Sequence, residues 1–150
     1  MIEIRSCEAD DLRQVDSLSP KGDRELVLEN IAENPGMEVV LQNLGRSLTL
    51  DGRVIACFGV WPLWPGVARA WSDLSQEALD RPKALYSNVR EQLQKIEEQL
   101  DLRRVEAVVA KGRAPAHNFV RHLGFELEGT MHNYGVGGVG DFCLYARTRE

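Results

Sequence analysis

Positive charge, long apolar runs and cysteine are all scarce in this sequence. Its 150 residues carry 18 Lys and Arg against 23 Asp and Glu, a net charge of −5. At the level of the whole chain, nothing therefore drives it toward a nucleic-acid backbone. No apolar run approaches the roughly 20 residues needed to span a bilayer, and the opening MIEIRSCEADD alternates and then turns acidic, unlike a basic-then-apolar secretion signal. These features predict a soluble cytoplasmic protein. The cysteines, Cys7, Cys57 and Cys143, are odd in number and have no metal-ligand spacing, so they read as small buried apolar residues in a reducing compartment. His117 and His122 lie five apart, off a common helix face, and His132 is remote, so no metal site is expected. No Ser-His-Asp or Cys-His arrangement is legible, which leaves a hydrolase without support.

What is present fits one domain over residues 1–150. Met1 to Arg5 alternate as a first strand. Asp10 and Asp11 open a short helix with Leu12, Val15 and Leu18 on its apolar side, closed near Ser19-Pro20. A second short helix is expected over Arg24–Ile31, stopped by Asn34-Pro35-Gly36. Residues 37–44 suit a helix, although their β-branched content allows a strand. Residues 46–50 and 53–60 read as strands joined by the tight turn Asp51-Gly52. Trp61 to Gly66 reads as a Pro- and Trp-rich connection, and Val67–Asp73 as a further strand. Pro82 begins the surest helix, where Leu85, Val89, Leu93, Ile96 and Leu100 recur at helical spacing. Arg104–Ala110 is a central strand. Ala114–Leu123 is a helix ended by Gly124, and residues 125–132 and 139–147 form a last hairpin around Gly135–Gly140. The fold class is therefore α+β, a mixed, mostly antiparallel sheet of six to seven strands with helices on both faces. The G-x-G-G-x-G run from Gly135 leads into a strand rather than a helix, which removes a dinucleotide-binding reading and leaves a hairpin tip bordering a substrate or partner surface.

The element order, with Ala116, Leu123, Gly124, Phe125, Glu128 and Gly129 and the downstream Asp141 and Tyr145, resembles the GNAT (acyl-CoA N-acyltransferase) superfamily. The run Val54–Val60, Trp71 and the Leu-Gly-Phe helix ending are similar, more narrowly, to small GNAT-like proteins of tailed bacteriophages. The resemblance implies acetyl-CoA, or another acyl-CoA, as cofactor, lying between the strands Val67–Asp73 and Arg104–Ala110. Its pantetheine arm would bond to the backbone of a splayed strand, and its pyrophosphate would sit at the start of the long helix. The residues expected to hold it are Trp71, Ser72, Asp73, Arg81, Lys83, Arg113 and Asn118.

Two departures stand against that expectation. The loop over residues 74–83, LSQEALDRPK, contains no glycine to let phosphates approach the backbone. Glu77 and Asp80 bring negative charge to a place meant for phosphate, which Arg81 and Lys83 partly compensate. Asp80 reads as a helix cap ahead of Arg81-Pro82, or the stretch as a phosphate site with an altered grip. The position where the family often carries a thiolate-protonating tyrosine is Val120. Asp73 is then the candidate general base, or a strand-end aspartate. Tyr134 is the candidate acid, with Tyr145 as a substitute, or both are hairpin and core aromatics. Trp61 and Trp64 either fold back on the core or form a recognition patch. The expected function is acyl transfer to an amine of a small molecule or protein through a degenerate phosphate loop. The alternative is an inactive GNAT-derived binding or virion-associated protein whose partner is a phage or host protein. A homodimer is compatible with either reading; neither nucleic acid nor membrane is expected as a partner.

Overall fold

The computed structural model describes residues 1–18 and 28–149. Its elements, in chain order, are β1 (Ile2–Ser6), α1 (Ala9–Gln14), α2 (Pro35–Leu44), β2 (Gly45–Leu50), β3 (Arg53–Trp64), β4 (Val67–Leu74), α3 (Gln76–Leu79), α4 (Pro82–Gln99), β5 (Arg104–Ala110), α5 (Ala114–His122), β6 (Glu126–Met131) and β7 (Phe142–Thr148). Residues 28–33 are also helical, and a 3-10 turn, Val136–Gly138, lies in the last hairpin. The seven strands form one sheet in the order β1-β2-β3-β4-β5-β7-β6. It is a mixed sheet: β4 and β5 run parallel, and the other strand pairs are antiparallel.

Alternation along the strands sends apolar side chains to two layers. On one face Leu85, Val89, Leu93 and Ile96 of α4 meet Ala68 of β4 and Val105 of β5, joined by Phe119 and Leu123 of α5. On the other, Leu12 of α1, Ile31 and Leu41 pack with Cys7, Val54 and Cys57, and Trp61 and Trp71 lie against them. The three cysteines are free thiols buried in these layers.

The β2–β3 turn has the expected chemistry, with φ of 51° at Asp51 and 84° at Gly52, the positive values that a two-residue hairpin requires. Several boundaries differ from the sequence reading, among them the last strand, which begins at Phe142 rather than Val139. Helix α1 stops at Gln14, and Val15 turns extended at φ −66°, ψ 127°, because Leu18 finds a backbone acceptor on β4; Ser19-Pro20 lies outside the described residues. Of the second expected helix, residues 24–27 also lie outside them, while 28–33 are helical. The Trp61–Gly66 connection is a strand as far as Trp64. Pro62 fits there because the β3–β4 register shifts between Pro62 and Trp64, and a proline is accommodated where the ladder is interrupted.

Candidate functional site

Strand β4 pairs with β5 only at Val67–Arg104, Ala68–Val105 and Arg69–Glu106. Both strands continue, to Leu74 and Ala110, without pairing to each other. Past the Arg69–Glu106 rung the sheet is therefore splayed: the edge of β4 turned away from β3 and the edge of β5 turned away from β7 face an opening instead of each other. An open strand edge is a template for a ligand or segment that can supply the missing hydrogen bonds.

A charged network closes the narrow end of this opening. Arg69 reaches Glu106 at 3.0 Å and the Tyr134 hydroxyl at 3.2 Å. Glu106 also accepts from Arg104 at 2.9 Å, and Arg104 forks onto Glu128 of β6 at 2.9 and 2.6 Å. Burial pushes the Glu106 carboxyl upward, but the bonds from Arg104 and Arg69 outweigh it and hold its pKa below the ordinary value. Burial likewise works against the Arg69 charge, and Glu106 with Tyr134 outweighs it. Glu106 is thus a fixed anion and a weak base. Sequence reasoning missed this network, although alternation alone puts Arg104 and Glu106 on the same face of β5.

The wide end is built from the remaining predicted residues. Trp71, Ser72 and Asp73 follow one another on β4. Trp71 stacks on Trp61 with ring centroids 5.9 Å apart and planes 24° from parallel, so Trp61 folds back toward the core while Trp64 stays 61% exposed. Asp73 is buried and accepts a hydrogen bond from the Ser17 hydroxyl. Arg113, at the N-cap of α5, donates to the Leu18 carbonyl at 3.0 Å. Asn118 is exposed one turn further along α5. The structure thus brings Asp73 and Arg113 together through residues 17–18, a connection with no signal in the sequence.

Tyr134 belongs to the other end. Its partner Arg69 precedes Asp73 by four residues, roughly 13 Å at the rise of an extended strand. Asp73 and Tyr134 are therefore not poised on one pair of reacting atoms. Tyr145 is buried, its hydroxyl 2.7 Å from His117 Nδ1, and Val120 packs against the core.

The stretch 74–83 differs in detail from the expected loop. Asp80 does not cap the long helix; a separate short helix, α3, precedes it, started by Ser75, whose hydroxyl accepts from Ala78 N–H. Asp80 instead accepts from Gln76 at 2.9 Å, and Arg81 occupies the N-cap of α4 without a side-chain bond to it. The first turn of α4 bonds Leu85 N–H to Arg81 O, so the Lys83 and Ala84 N–H groups are left without an intrahelical acceptor. Arg81 and Lys83 are exposed beside them.

The same architecture recurs in solved structures. A ribosomal L7/L12 alpha-N-protein acetyltransferase, RimL, in complex with coenzyme A superposes with a TM-score of 0.71 at 15% identity, covering 98% of this chain and 93% of that one. A ribosomal-protein-S5-alanine acetyltransferase from Vibrio fischeri gives 0.70 at 12% identity, over 98% and 92%. A GNAT-family acetyltransferase from Bacillus anthracis gives 0.68 at 14%, over 98% and 94%. The chain therefore has the acyl-CoA N-acyltransferase fold of the GNAT acetyltransferases. No protein-family model matches it, and no curated protein does either.

Proposed function

We propose that this chain is an acyl-CoA-dependent N-acyltransferase that moves an acetyl group from coenzyme A to an amine, on a small molecule or a protein, in the cytoplasm. The observation that carries this reading is the opening of β4 from β5 beyond Arg69–Glu106, in a fold shared with an acetyltransferase that binds coenzyme A. The unpaired β4 backbone offers hydrogen bonds to a pantetheine arm. The pyrophosphate would meet the Lys83 and Ala84 N–H groups where the α4 dipole is positive, with Arg81 and Lys83 supplying positive charge in a stretch that has no glycine. The acceptor would enter beside Trp61, Trp64 and the Gly135–Gly140 hairpin. Catalysis would rest mainly on holding amine and thioester together, with Asp73 taking the amine proton.

A second reading has its own support. The 74–83 stretch has no glycine and folds residues 76–79 into a short helix capped by Ser75, and Val120 has no ionisable proton to donate. A GNAT-derived binding protein that no longer transfers acyl groups, including a virion-associated one, would account for both, with Trp64 and the last hairpin as its contact surface. Thermal melting with and without acetyl-CoA separates the two. Cofactor at about 100 times its dissociation constant adds roughly 2.7 kcal/mol, and Asp73→Asn should then lower turnover while keeping that shift. No shift at millimolar acetyl-CoA would overturn the enzyme reading.

A further inference from the structure

Among the described residues of the N-terminal segment, Ser17 and Leu18 reach the splayed edge of β4. Ser17 forms an antiparallel bridge with Ser75, and the Leu18 N–H donates to Leu74 O at 3.0 Å. The direction of that bond decides which side of β4 is occupied. Ser75 N–H donates to Ile55 O of β3 at 3.1 Å, and across one trans peptide the C=O points opposite to the N–H. The Leu74 carbonyl therefore faces away from β3, into the opening that β5 leaves. The far side of the same short segment is tied down from the β5 wall, where Arg113 donates to Leu18 O at 3.0 Å. Ser17 completes the hold through Asp73.

We propose that Ser17–Leu18 is a self-inhibitory strap: it fills the backbone seat at the wide end of the cleft and must detach before acyl-CoA can run along β4. The inference rests on the acyl-CoA reading of this cleft and adds its regulation. The strap is suited to release because the contacts that hold Ser17 and Leu18 among the described residues are polar. Ser17 is half-buried and the Leu18 side chain is 44% exposed, so little apolar burial opposes departure. Detachment also lifts the Ser17 hydroxyl from Asp73, which couples cofactor entry to uncovering the candidate base. A cleft that is closed most of the time weakens apparent affinity by the fraction open, and one net hydrogen bond changes that fraction by roughly 3- to 10-fold.

Leu18→Pro deletes the donor to Leu74 O at an exposed position. Titration calorimetry with coenzyme A should find the variant binding about 3- to 10-fold more tightly than the wild-type protein. In parallel, hydrogen exchange on the wild-type chain should find the Leu18 amide protected alone and exposed at saturating coenzyme A. Equal affinities, or a Leu18 amide that stays protected in the saturated complex, would overturn the strap while leaving the cofactor reading in place. If neither protein binds coenzyme A at millimolar concentration, both readings fall. Should Leu18→Pro not fold, the exchange measurement on the wild-type chain decides.

Discussion

Glu106 shows how a single side chain can hold the narrow end of the cleft. Its carboxylate is 13% exposed and takes bonds from two arginines on two strands. A neutral glutamine in its place keeps one acceptor oxygen, turns an NH2 donor toward the other guanidinium and removes the counter-charge of both. Glu106→Gln should lower stability near neutral pH by about 2 kcal/mol, read from urea denaturation. The pH dependence has a definite sign. A carboxyl whose folded pKa lies below its ordinary 4.5 contributes stability that is fully present above 4.5 and is lost as pH falls through the folded value. The difference between wild type and variant should therefore shrink in acid, and a constant difference across that range would remove Glu106 from the linkage. Asp11 behaves the same way behind β1. Burial raises its pKa, but Arg5, at 2.6 and 2.9 Å, and the Glu8 and Ser47 donors bring it down.

Among the elements, those with a strong period were legible in the sequence. Helix α4 repeats its apolar residues at helical spacing and begins at Pro82, and β5 alternates between a buried and an open face, so both were found within a residue of their ends. Elements whose limits depend on distant partners were not. Strand β3 runs on through Trp61-Pro62-Leu63-Trp64 because β4 is there to pair with it, whereas locally Pro62, Pro65 and Gly66 signal a break. Helix α1 ends early for the same kind of reason, a partner 56 residues away in the case of Ser17 and Asp73. Packing between elements sets another hidden constraint at Gly59. It pairs with Gly45, and a Cβ there would stand 2.4 Å from Leu44 O and 2.7 Å from Gly45 Cα. Both obstacles are backbone, so they cannot swing aside. Gly59→Ala should cost about 1–3 kcal/mol, visible as a lower melting temperature, whereas Gly36→Ala, inside α2 with nothing within 4 Å of its added Cβ, should hold the melting temperature or raise it slightly.

Over the whole molecule, the cleft opens where β4 and β5 part, on strands that share one apolar layer with α4, α5 and β7. The splay itself left no mark in the sequence, since residues 70–74 and 107–110 have ordinary strand composition whether or not they pair; only the family resemblance led to it. The bracing of the helices is equally non-local. Arg147 of β7 forks onto Glu97 of α4 at 3.0 and 3.1 Å and donates to Leu123 O at the end of α5 at 2.7 Å, joining three elements at one guanidinium. The Glu97 side chain is 8% exposed, so removing Arg147 leaves a buried carboxylate without its counter-charge. Arg147→Ala should cost about 3–5 kcal/mol. If that cost comes from the stranded anion, Glu97→Ala in the Arg147→Ala background should recover part of it, and a double-mutant cycle in urea should return a coupling of about 1 kcal/mol or more. A coupling near zero would mean that Arg147 acts through the α5 carbonyl alone, and the brace between α4 and the sheet would then lie in the apolar contacts of Leu85, Val89 and Ile96.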